Sequence, residues 1–186
     1  MNLDTLIKTR RTVHVYNTKP VAEALLNQAL ELALWAPNHR LTFPWRFVRA
    51  GTETRRQLAQ VAAEIKAKKN GAAISMTEKA MIEKSYLDPS HLLVISMLRS
   101  PDPRRLREDY ATVAMGVQNI SLFLWQHQIG TKWSSGAPTF DARTYNILNV
   151  DPSQQEIVGF LWIGHFDSLP KETPRPELDK VLLKLP

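Results

Sequence analysis

The stretch "RLREDYATVAMGVQNISLFLWQH" (residues 105–127) reads as the longest helix of the chain. Val113, Ala114, Val117, Ile120, Leu124 and Trp125 recur at helical spacing and form one stripe. Ala111, Met115, Leu122 and Phe123 lie off that stripe. A surface helix needs a single apolar stripe, whereas one that is apolar most of the way round is buried on more than one side. In a chain of 186 residues, the second side points to another subunit.

The elements around this helix alternate between helix and strand. "HLLVISM" (91–97) and "EIVGFLWIG" (156–164) are continuous apolar runs of strand length, as interior strands require. "WRFVRA" (45–50), "IGTKW" (129–133) and the alternating "VHVY" (13–16) read as further short strands. Amphipathic patterns predict helices over 2–8, with Leu3, Leu6 and Ile7 on one face, and over 21–36, 54–68 and 77–86. Pro37 ends the second of these, because a residue before proline is pushed out of helical geometry. Asn70-Gly71 is a turn, and Asp141 is placed to cap a helix ending at Leu148. The tail from His165 carries four prolines and ends in an apolar, basic segment of the kind that lies extended across a neighbour. With no linker and no internal repeat, residues 1–186 make one α+β domain.

Composition removes several function classes. The chain has no cysteine, which excludes disulfides, thiolate metal sites, iron–sulfur clusters and cysteine nucleophiles. Its glycines, at 51, 71, 116, 130, 136, 159 and 164, never fall at G-x-G or P-loop spacing. The histidines at 14, 39, 91, 127 and 165 include no pair at metal-ligand spacing, and there is no G-x-S-x-G elbow. No apolar run is long enough to cross a bilayer, and "MNLDTLIKTRR" lacks a secretory layout, so a cytoplasmic location is expected. The net charge of +6 is spread over pairs such as "RR" at 55–56 and "RRLR", which read mostly as solvated helix faces. Basic residues interleaved with stacking aromatics, as single-strand nucleic-acid binders use, are absent.

Polar chemistry gathers at four separate places. "TRRTVHVY" (9–16) offers Arg10, Arg11 and Thr12 at a helix end, where guanidinium groups suit phosphate; exposed basic residues after a helix would look the same. In "LWAPNHRLTFPWRF" (34–47), Pro37 and Pro44 stiffen a loop that presents Asn38, His39 and Arg40. Trp45 reads as core there, and Trp35 as either core or the flank of a planar ligand. "TKWSSGAP" (131–138) turns out of a strand through Ser134 and Ser135, with hydroxyls and amides that suit a heteroaromatic edge or an ordinary turn. Arg175, in "KETPRPEL", is held between two prolines.

These four stretches, in order and across nearly the whole chain, resemble the nitroreductase family of FMN enzymes. "RRTVHVY" is similar to that family's "RRSxRxF" opening, "APNHRLTFPWRF" to its "APSxxNxQPWxF" loop, and "IGTKWSSGA" to its "GxGxxWxSGA" segment. "GFLWIGH…PKETPRPELDKVL" looks like its closing strand and arginine-bearing tail. The nearest flavour is the short bacterial NAD(P)H nitroreductases, whose loop reads "RAPDHKxxQPW".

The resemblance implies a three-layer sandwich, a mixed central sheet flanked by helices, built as an intertwined homodimer with tightly bound FMN at the subunit interface. It implies that Arg10, Arg11 and Thr12, assisted by Arg175, hold the ribityl phosphate. Trp35, Pro37, Asn38 and His39 would run along the flavin ring, and Trp133, Ser134 and Ser135 would meet it from the third segment. His14 would lie near the pyrimidine edge, where a histidine could stabilise the reduced ring in a pH-dependent way. The implied reaction is a ping-pong hydride transfer from NADH or NADPH through FMN to a small planar acceptor, a nitroaromatic or a quinone. It needs no side-chain acid or base and no metal.

Three departures from the family pattern stand out. Phe43 replaces the loop glutamine, Leu41 the loop asparagine, and Ser134 the arginine often found after the tryptophan. They keep open a flavin-binding protein on the same fold that does not turn over NAD(P)H efficiently. A basic nucleic-acid-binding protein without bound flavin is the remaining alternative.

Overall fold

In the computed structural model, which describes residues 2–185, the strands Trp45–Arg49 (β1), His91–Leu98 (β2), Gly130–Ser134 (β3) and Gln155–Gly164 (β4) form one sheet. Its order is β1-β2-β4-β3, and every neighbouring pair is antiparallel. Among the described residues, the mixed character expected of the sheet is limited to one parallel bridge, Thr12 to Thr131. The "VHVY" segment is extended but is not a strand. The Val13 N–H donates to Thr131 O at 3.0 Å and the Asn17 N–H to His165 O at 2.9 Å, so the segment touches the sheet only at its ends. Val13 and Tyr16 are buried while His14 and Val15 are exposed, which is not the period-2 alternation of a strand.

The two middle strands are buried on both faces, as their continuous apolar runs require. Leu92 and Val94 of β2 enter one core, and Leu93, Ile95 and Met97 enter the other. On β4 the alternation breaks: Ile157, Phe160 and Trp162 face the first core, Val158, Leu161 and Ile163 the second. Ile95 pairs with Gly159 but Ser96 with Ile157, so Val158 is an extra residue and the faces exchange there.

Helices cover both faces and complete three layers. Thr52–Asn70 (α3), Met76–Leu87 (α4) and Ala142–Leu148 (α6) supply Leu58, Tyr86, Tyr145 and Leu148 to the first core. Gly71, at φ +66°, closes α3 in the left-handed conformation that glycine adopts freely, and a Ser75–Glu78 capping box opens α4. Glu23–Ala33 (α2) and Pro103–Gln126 (α5) supply Leu26, Ala29, Val113, Val117, Ile120 and Leu124 to the second. Gly116 lets these two helices meet: a methyl group there would stand 3.1 Å from Ala33 O. Asp102 caps α5, with Pro103 in its first turn.

Leu3–Thr9 (α1) buries only Leu6, and Leu3 and Ile7 of the expected apolar face are exposed. On α5 the expected stripe is buried or half-buried throughout. Of the residues off it, Leu122 and Phe123 are half-buried and pack against the cores, while Ala111 and Met115 are exposed, so its second apolar side is uncovered at those two residues. The tail likewise leaves Leu178, Val181, Leu182, Leu183 and Leu185 exposed. One basic pair departs from the solvated reading. Arg55 is buried and donates to the carbonyls of Tyr86 at 2.6 Å and Leu87 at 2.8 Å, ending α4 with a cation where its dipole is negative. Among the described residues, no helix is long and apolar enough to cross a membrane.

Candidate functional site

The loop after α2 is tied to α5 by a buried polar cluster. Asn38 Nδ2 donates to Thr42 Oγ1 at 2.9 Å, and Asn38 Oδ1 accepts the Phe43 N–H at 2.8 Å. The Thr42 hydroxyl donates to the Asp109 carboxylate, and the Thr112 hydroxyl to Pro37 O at 3.0 Å. Asp109 and Thr112 are 3% and 2% exposed, so α5 spends two buried polar positions on this loop. The fastening opposes strain. Arg40, Leu41 and Phe43 have φ of 59°, 51° and 47°, the left-handed region that side chains with a Cβ disfavour.

Asn38 is therefore committed to the loop itself. His39 Nε2 accepts from Arg40 Nε at 3.2 Å and lies 3.9 Å from a Glu108 carboxylate oxygen. Trp35 is 82% exposed and belongs to no core, whereas Trp45 is buried as expected.

A second group meets further along α5. Arg10, Thr12, Thr131 and Trp133 line a cavity of about 230 Å³ against Ala114, Val117, Gln118 and Ser121. Trp133 leans on Tyr110, with ring centroids 6.5 Å apart. Its Nε1 is buried and has no hydrogen-bond partner. Burial together with Arg11 and Arg175 pushes the pKa of Arg10 down, so two further guanidinium groups stand within electrostatic reach of Arg10. Among the described residues, Arg10 has no carboxylate partner.

The sequence-predicted residues thus divide into two groups. Arg10, Thr12 and Trp133 share one cavity, and Arg175 acts on it electrostatically. Pro37, Asn38 and His39 sit near residues 108–112 of the same helix, and at 1.5 Å per residue roughly 10 Å of helix separates the two groups. Ser134 is half-buried and Ser135 exposed at the exit of β3, and His14 is exposed. Arg11 turns away from Arg10: it donates to Lys8 O and pairs with Glu172 at 3.1 Å, lining another cavity.

Residues 7–165 match the Nitroreductase family. The chain belongs to that family. A Bacillus subtilis (strain 168) protein named "Putative NAD(P)H nitroreductase YfhC" is 29% identical over 175 residues, covering 91% of this chain and 88% of the relative. The structure of a nitroreductase-like family protein from Bacillus cereus superposes with a TM-score of 0.85 at 26% identity, covering all of this chain and 96% of that one. The FMN- and NADPH-dependent nitroreductase NfnB of Sphigopyxis sp. strain HMH gives 0.76 at 18% identity, covering 100% and 99%, a likeness of fold.

Within this nitroreductase fold, Thr42, Asp109 and Thr112 fix the loop after α2, and Gly159 leaves room for the Trp133 indole, without having been singled out from the sequence. A signal was present for one of them. Asp109 is a polar residue four before Val113, at the edge of the face of α5 that the apolar stripe marks as buried.

Proposed function

We propose that the protein is an FMN-dependent NAD(P)H oxidoreductase that works as a homodimer. The observation that carries this reading is the unneutralised charge at Arg10, half-buried beside two other arginines with no carboxylate of its own. A phosphate supplies the missing anion, and guanidinium groups bind it by charge-assisted hydrogen bonds. Trp133 lines the same cavity and gives it an aromatic wall that suits a planar heterocycle. The residues present therefore suit FMN. The dependence of NfnB on FMN and NADPH supports the same assignment.

The chain's own residues bind and orient. Arg10 with Arg175 holds the phosphate end, Trp133 bounds the ring, and the Asn38–Thr42–Asp109 cluster keeps Pro37 and His39 in place. The chemistry that FMN would supply is hydride transfer from NADH or NADPH to a planar acceptor, a nitroaromatic or a quinone. A cytoplasmic location accords with such donors. The cavity of about 230 Å³ is smaller than an ordinary ligand site, so one chain forms only part of the wall. A second copy against the uncovered side of α5, reached by the leucine-rich tail, supplies the remainder.

Leu41 and Phe43, exposed and apolar where the family pattern is polar, favour a second reading: flavin held without efficient turnover. A visible spectrum of the purified protein, repeated anaerobically with NADH and then NADPH, separates the two. Bleaching by either nucleotide is the expected result and identifies the donor. A flavin band indifferent to both favours the second reading. A colourless protein that takes up no added FMN overturns both.

A further inference from the structure

Residues 9–12 cross α5 with successive side chains on opposite sides. Arg10 and Thr12 face the Trp133 cavity, and Thr9 and Arg11 face another of about 730 Å³. This second volume falls within the range of small-molecule sites. Its apolar wall is Phe166 stacked on Trp125, with ring centroids 5.5 Å apart and planes 7° from parallel, beside Leu169 and Pro170. Its polar side carries Arg11, Lys19, Asn17, Gln128 and His165. Burial and the neighbouring Lys19 hold His165 below its ordinary pKa, so the imidazole is neutral at pH 7 and the positive charge belongs to Arg11 and Lys19.

The state of Arg11 indicates what such a site accepts. Its guanidinium is fixed by the carbonyls of Lys8 and Arg10, and its outward nitrogen meets Glu172 at 3.1 Å. The Arg11 side chain is 16% exposed, but that of Glu172 is 81% exposed and comes from the extended tail. A half-buried cation is thus met by a carboxylate that solvent already reaches, an exchangeable arrangement. Lys19 has no carboxylate partner among the described residues. Asp167, the other acid nearby, accepts from Asn17 at 2.7 Å. Displacing Glu172 would leave two cations against the single carboxylate of Asp167, beside a stacked aromatic wall, an arrangement that suits an anion with a flat apolar body.

We propose that this cavity is a second ligand site that takes a small planar aromatic carboxylate, and that Glu172 occupies Arg11 until such a ligand displaces it. The ring lies along Phe166, and the carboxylate meets Arg11 and Lys19. The site stands independently of the FMN reading, since neither Trp133 nor Arg10 belongs to it.

The test is calorimetric titration of the protein as purified with 1-naphthoate, with 1-naphthylmethanol as the uncharged control and the visible spectrum followed in parallel. The expected result is saturable binding of one naphthoate per chain, no binding of the alcohol, and no spectral change. Glu172→Gln tightens binding about threefold or more by removing the competitor, and Lys19→Gln weakens it about tenfold. Both positions are exposed, so neither change threatens the fold. Absence of binding to both wild type and Glu172→Gln overturns the proposal. So does binding that both variants leave unchanged, or binding that perturbs a flavin band, which would locate the ligand at the other cavity.

Discussion

The indole of Trp133 fills the space that a side chain at residue 159 would need. A methyl group on Gly159 would lie 2.2 Å from Trp133 Nε1 and 2.7 Å from its Cδ1. The missing side chain on β4 therefore sets where a ring on β3 rests, and with it one wall of the Arg10 cavity. Gly159→Ala should push Trp133 outward, lowering stability by about 1–3 kcal/mol as overpacking does and weakening FMN binding as well. Gly51→Ala, where nothing lies within 4 Å, is the control. Thermal unfolding and flavin titration of both variants check this.

Arg10 makes opposite predictions for the two states of the protein. Without an anion it is a half-buried cation beside Arg11 and Arg175, and Arg10→Gln should raise the stability of the flavin-free protein. With FMN bound, the same change removes charge-assisted bonds worth about 1.5–3 kcal/mol, roughly ten- to a hundredfold in Kd. Unfolding midpoints with and without FMN should therefore shift in opposite directions. A shift in the same direction would place the phosphate elsewhere.

Asp109 holds a strained loop from a distance of 67 residues in sequence through Thr42. Removing the carboxylate in Asp109→Ala leaves left-handed Arg40, Leu41 and Phe43 without that anchor. The Phe43 amide, bonded to Asn38 Oδ1, reports the change. Its hydrogen exchange should quicken by tenfold or more while amides of β2 keep their protection. Asp109→Asn retains an acceptor oxygen and should fall between the two.

Acid should weaken the protein partly through Asp141. Hydrogen bonding to Arg143 lowers this carboxyl from 3.8 to about 2. A group depressed on folding contributes stability that is present above its unfolded value and lost as pH falls through its folded one. The unfolding midpoints of wild type and Arg143→Ala should therefore differ most above about pH 4 and converge near pH 2. Glu64 is depressed first by its hydrogen bond from Gln60 and further by the same arginine, and acts in the same direction.

The uncovered side of α5 offers a direct test of the dimer. Met115 is exposed in the single chain, so Met115→Lys costs an isolated domain little. It places a charge in the proposed interface, and sizing with light scattering should find monomer in place of dimer.

Local order explains what the sequence reveals here. Capped helices such as α4 and α6, and the doubly buried β2 and β4, follow from residues close together in the chain. The family motifs were legible because arginines, prolines and a tryptophan sit at fixed offsets within short stretches. Contacts between distant residues were not. Nothing near Thr42 announces Asp109, and adjacency in "RR" conceals that Arg10 and Arg11 point into different cavities. Arg55 looked solvated because its acceptors are carbonyls more than 30 residues away. The "VHVY" segment alternates in composition, but its neighbour bonds only its two ends.

The contact of Gly116 with Ala33 constrains how the site can open. Ala33 is the last residue of α2, and the loop departs from it, so the start of the loop is clamped to α5 at backbone distance. Widening the entrance by sliding α2 would drive Ala33 into α5. What freedom remains is rotation of peptide units around Arg40, Leu41 and Phe43, where the backbone already holds disfavoured angles. The loop can turn in place but cannot withdraw, which makes it a pivot and not a door.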